Sequence, residues 1–134
     1  MNTQLGFEVE ISQPFDQAID SVTAALKVEG FGVLTRIDVR ATLKEKLNAE
    51  FRPYVILGAC NPPLAHQALT TDPWIGLLLP CNVTVEQVDD HTSLVRLTDP
   101  GAIVNFSEKA GEMKELASLG HQKMANVAAA LGKL

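Results

Sequence analysis

The run from Tyr54 to Ala59 is almost continuously apolar and ends on Cys60-Asn61-Pro62-Pro63. No other segment restricts the fold as much. An unbroken apolar run of this length reads as a strand covered on both faces, interior in a sheet. Asparagine followed by proline then closes the strand and opens a helix, with Asn61 as cap and Pro62 in the first turn. A thiol, Cys60, is thereby placed at the mouth of the fold. The pattern recurs where Leu77 to Pro80 runs into Cys81-Asn82, and these two cysteines are the only ones in the chain.

The remaining elements follow from periodicity. Phe7, Val9 and Ile11 alternate with polar residues, which predicts a half-buried first strand. Phe15, Ala18, Ile19, Val22, Ala25 and Leu26 keep the three-four spacing of one helical face, with Ser12 or Gln13 as cap, Pro14 in the first turn and Gly30 as the stop. Phe31 to Val39 reads as a second strand with Phe31, Val33, Thr35, Ile37 and Val39 on one side. Thr42 and Glu45 resemble a capping box for a short helix carrying Leu43 and Leu47. The helix after Pro62 ends before Asp72-Pro73. Leu77 to Val88 reads as one long strand, interrupted if anywhere at Pro80, which has no ladder donor. Asp89 to Thr92 forms a turn, Ser93 to Thr98 returns antiparallel, and Asp99-Pro100-Gly101 breaks the chain. Met113, Leu116, Ala117, Met124, Val127, Ala128 and Leu131 mark a long C-terminal helix. This order excludes a purely parallel doubly wound sheet. It predicts one α+β domain over residues 1–134, a mixed, largely antiparallel sheet with helices packed on one side.

Composition removes several functions. A net charge of -5 with scattered basic residues argues against nucleic acid as a partner. No basic-then-apolar leader precedes Phe7, and no apolar run is long enough for a membrane span. A cytoplasmic location is expected, where two cysteines are free thiols rather than a structural disulfide.

Four segments together resemble domain-of-unknown-function family 302 (DUF302): Gly30 to Val39, Thr42 to Leu47, Leu57-Gly-Ala-Cys-Asn-Pro-Pro-Leu-Ala-His66, and Ile75-Gly-Leu-Leu-Leu-Pro-Cys-Asn-Val83. The Gly-Ala-Cys-Asn-Pro and Leu-Pro-Cys-Asn blocks are specific as a pair. The similarity is strongest from Gly30 to Pro100, whereas Asp99 to Glu112 matches no family block. The resemblance implies a TATA-binding-protein-like (TBP-like) α+β fold and a homodimer. It implies no reaction. Haem-binding relatives that use a histidine provide one lead.

The residues themselves supply candidates, each with a plainer reading beside it. Cys60 and Cys81 are either a redox or metal-binding thiol pair, with Cys60 favoured by the helix end that follows it, or small packing residues at strand ends. A structural zinc site needs about four ligands, and Cys60, Cys81 and His66 provide three at most. His66 falls on the flank of its helix away from Leu64, Ala65, Ala68 and Leu69, which suits a ligand site, an interface or a solvated side chain. Two copies of His66 across a twofold axis would ligate one non-covalent haem b, with Leu64, Leu69 and Trp74 as apolar walls. Asn61 reads as a helix cap. Asn82, unusual in a strand, is expected to satisfy backbone groups at the Pro80 break. Asp99 is a turn residue or a site carboxylate, and His91 and His121 read as solvated.

These readings lead to a homodimeric small-ligand or cofactor-binding protein, with haem b at His66 as the sharpest form. The alternatives are a thiol-based redox or sulfur-handling protein using Cys60 and Cys81, and a structural or interaction module without a cofactor.

Overall fold

The structure, a computed structural model, describes all 134 residues. Five strands form one sheet: β1 (Gly6–Ile11), β2 (Gly32–Asp38), β3 (Tyr54–Cys60), β4 (Cys81–Asp89) and β5 (Thr92–Thr98). Their order across the sheet is β1-β5-β4-β3-β2. Five helices accompany them: α1 (Phe15–Val28), α2 (Val39–Leu47), α3 (Pro62–Thr71), α4 (Pro100–Asn105) and α5 (Lys114–Leu131). The α+β class is as expected. The sheet is more regular than the mixed one foreseen, because all four pairings are antiparallel.

Alternation along the strands builds the core. Val55, Leu57 and Ala59 of β3 stand in register with Val85, Val83 and Cys81 of β4, and Val95 and Leu97 of β5 continue the row. All eight are buried. Onto this face pack Ala18, Ile19, Val22 and Leu26 of α1 with Met124, Val127 and Leu131 of α5. Each fully buried Leu, Val or Met contributes about 1.5–3 kcal/mol through loss of water-exposed apolar surface. The opposite face is polar, and there Glu86 holds Arg52 and Arg96, with Arg96 passing on to Glu8 at 2.9 Å.

Several boundaries differ from expectation, each for a local reason. Neither Ser12 nor Gln13 caps α1, whose cap position is taken by Pro14. The Gln13 side chain instead accepts from Ser21, and its carbonyl accepts from Ser93. The stop is as foreseen, with Gly30 left-handed at φ 84°. Strand β2 ends one residue early because Asp38 caps α2 by accepting from the Ala41 amide at 2.9 Å. Val39 is therefore helical, and the Thr42–Glu45 capping box does not form, since the Thr42 hydroxyl donates to the Asp38 carbonyl. A register slip between Val33 and Thr35 moves Thr35 opposite Gly58, so Val33 and Thr35, foreseen on one side of this strand, fall on opposite sides.

The long strand from Leu77 does not exist. Pro73–Leu78 forms a 3₁₀ turn opened by Asp72, which accepts from the Trp74 amide, and β4 starts only at Cys81. The Leu79–Pro80 peptide between them is cis. Asp99 does more than break the chain, because its carboxylate accepts from Gly101 and caps α4.

Candidate functional site

The end of the sheet where β3 finishes and β4 begins is not filled. A cavity of about 370 Å³ opens there between β2, β3 and β4 on one side and α3, α4 and α5 on the other. Fourteen of its 19 lining residues are hydrophobic, so a ligand inside it exchanges water for apolar contact. Leu64, Ala65, Ala68 and Leu69 form the α3 wall, and Pro100, Ile103 and Leu116 come from α4 and α5. Ile75 of the 3₁₀ turn closes one side.

Both cysteines line this cavity, and both are free thiols. Cys81 is 7% exposed and Cys60 half-buried. Burial pushes the Cys81 thiol up to about 12, and the nearby charges of Cys60 and Asp99 push in the same direction. Cys60 stands just before α3, as expected. That helix end nevertheless offers no free donor: Pro62 and Pro63 have no N–H, Leu64 donates to Asn61 Oδ1 and Ala65 to the Asn61 carbonyl. Asn61 is thus the cap foreseen. It is also a strut, because its Nδ2 donates to the Glu29 carbonyl at the end of α1.

The other candidates are dispersed. His66 is exposed on α3 and is not on the cavity wall, although its neighbours Leu64 and Leu69 are. Trp74 is 77% exposed and lines a separate groove with Leu78 and Phe106. Cys60, Cys81 and His66 do not come together, and no cluster of three potential metal-ligating His, Cys, Asp or Glu side chains forms anywhere in the chain. Asn82 is exposed on the polar face, where its carbonyl rather than its side chain accepts from Thr98. His91 remains exposed in its turn.

Sequence reasoning missed two contributions. His121 is exposed as foreseen, but its Nδ1 lies 2.8 Å from Asp99 Oδ2 and its ring lies 5.3 Å from that of Phe7. The cavity residues Ile103 and Leu116 sit in or beside the stretch without family blocks. Only the helical spacing of Leu116 signalled its inward direction.

The sequence from 7 to 131 matches the family described as Domain of unknown function DUF302. The chain belongs to the DUF302 family. A crystal structure of an uncharacterized conserved DUF302 protein from Bacillus stearothermophilus resembles it with a TM-score of 0.83 at 29% sequence identity. The similarity covers 96% of this chain and 99% of that one. No curated protein matches this DUF302 chain. No helix is long and apolar enough to cross a membrane.

Proposed function

We propose that this DUF302 protein binds a small, largely apolar ligand in the cavity at the end of its sheet. The observation that carries the reading is the cavity itself: about 370 Å³ of largely apolar space opening at the end of the sheet. The test is binding of the dye 8-anilinonaphthalene-1-sulfonate, with displacement by 1-decanol. Ala65→Trp places an indole in the cavity from a half-buried position. Wild type should bind and release the dye while the variant does not. Equal dye fluorescence in both proteins overturns the reading and leaves a structural module.

The protein acts as a homodimer in this proposal. Support comes from Trp74, Leu77 and Phe106, each 77% exposed, with Leu78 beside them. A light-scattering mass of one chain across the micromolar range removes it. A cytoplasmic location accords with two free thiols.

Within one chain the residues do not fit haem b, because His66 lies outside the apolar cavity and Trp74 outside its wall. Haem ligation through His66 belongs to an interface between two copies. No Soret band on haem titration, or an unchanged band in His66→Ala, removes His66 from the proposal. The second reading is thiol chemistry, favoured by the shared cavity of Cys60 and Cys81.

A further inference from the structure

We infer that Cys60 and Cys81 together form a two-sulfur site for a soft metal ion of low coordination number, with Cu(I) as its type. This goes beyond apolar ligand binding and requires only that solutes reach the cavity.

The placement follows from the sheet. Cys81 is the register partner of Ala59, so Cys60 is one residue beyond on the neighbouring strand. In mid-sheet such a pair would face opposite sides. Here β3 ends at Cys60 and β4 begins at Cys81, the cavity wraps the end of the sheet, and both residues line it.

The surroundings select the ion. Ala68, Ile75, Ile103, Val104 and Met113 pack in the same cluster as Cys81, so its thiol faces apolar groups and can exchange its proton for a metal without losing a polar partner. Zinc requires more ligands than the two present, and no third His, Cys, Asp or Glu completes a metal-binding group. Calcium and magnesium need oxygen cages. Thiolate sulfur favours Cu(I).

The chemistry balances without a redox step. Each thiol transfers its proton to solvent as its sulfur bonds to the ion, so one Cu(I) and two thiols give one dithiolate complex and two protons.

The experiment is anaerobic titration of the reduced full-length chain with Cu(I) supplied as its acetonitrile complex, with Zn(II) in parallel. Expected are one Cu(I) per chain, two protons released, a near-ultraviolet sulfur-to-copper band and protection of both thiols from a chromogenic disulfide reagent. Cys60→Ser and Cys81→Ser should each weaken binding by more than the roughly 100-fold limit typical of merely supporting residues. Zn(II) at the same concentration should not bind. Wild-type affinity in either variant, or two ions bound independently, overturns the inference. Dye binding to the wild-type chain, measured in parallel, separates this from the ligand proposal. Cu(I) binding without dye binding would sink the ligand proposal and leave the metal site standing.

Discussion

The side-chain amide of Asn61 donates to the backbone carbonyl of Glu29 at 3.2 Å, tying the start of α3 to the end of α1 across one side of the cavity. Its oxygen simultaneously accepts from Leu64, so a single buried residue satisfies two helix ends. Gly30 lies against the same amide, where an added Cβ would come to 3.0 Å from its nitrogen. The α3 wall therefore depends on a donor and an acceptor in one side chain.

Asn61→Asp keeps the acceptor and removes the donor, leaving a carboxylate facing the Glu29 carbonyl. Asn61→Ala removes both bonds. Urea unfolding should show losses of about 1–3 kcal/mol in each, the range for a lost cap or an unsatisfied buried group. Asn61→Asp should not recover the stability of wild type, although aspartate is as good a cap as asparagine. Full stability in Asn61→Asp would show that the Glu29 bond contributes nothing.

Gly58 packs against two residues of the cavity lining, Thr35 and Pro80. A Cβ there would lie 2.1 Å from Thr35 Oγ1 and 2.8 Å from Pro80 Cγ. Gly58→Ala should destabilise by about 1–3 kcal/mol through overpacking. Adding Thr35→Ala removes the closer contact and should restore part of that loss. A double mutant no more stable than Gly58→Ala alone, measured in the same denaturant series, would contradict this.

On the open face, burial works to raise the Glu86 carboxyl, but hydrogen bonds and charges from Arg52 and Arg96 outweigh it and hold it below its ordinary value of 4.5. A lowered folded value means stability that is present above the unfolded carboxylate range and lost as pH falls through the folded one. Glu86→Gln should cost roughly 1–2 kcal/mol near neutral pH, because the half-exposed arginines can rehydrate. The difference between the two proteins should shrink below about pH 4. A difference that stays constant from pH 7 to pH 3 would show that the carboxylate charge is not responsible.

Much of this architecture is legible locally. The β3 run and the Asn61-Pro62 junction are written in adjacent residues, and so are the Asp89–Thr92 turn and the inward faces of α1 and α5. The mistakes occur where two local rules compete. Asp38 and Thr42 are both good caps, and the choice between them depends on where β2 stops pairing with β3. Leu77 to Leu79 are as apolar as strand residues, but Asp72 caps a 3₁₀ turn before them, and its other oxygen accepts from Ser107, 35 residues away. The cavity is legible only in part. Cys60, Cys81, Leu64 and Leu69 stand out in the sequence, whereas Phe31, Pro100 and Ile103 join them only through tertiary packing.

The two thiols should differ in reactivity for reasons of placement. Cys60 is half-buried at the end of β3, and Cys81 is enclosed, with its thiol pushed up to about 12 by burial first and by neighbouring charges second. Thiolate is the reacting species, so Cys81 should resist iodoacetamide in the native state at pH 8. Cys60 should react faster. It should show no large acceleration over a cysteine in the unfolded chain, because Pro62 and Pro63 lack N–H groups and Asn61 already occupies the Leu64 and Ala65 amides. The measurement is the alkylation rate of each single-cysteine variant, native and in denaturant. Equal native rates would contradict the burial difference. If both residues label only on unfolding, the cavity is closed to solutes, and ligand binding and copper capture must be abandoned together.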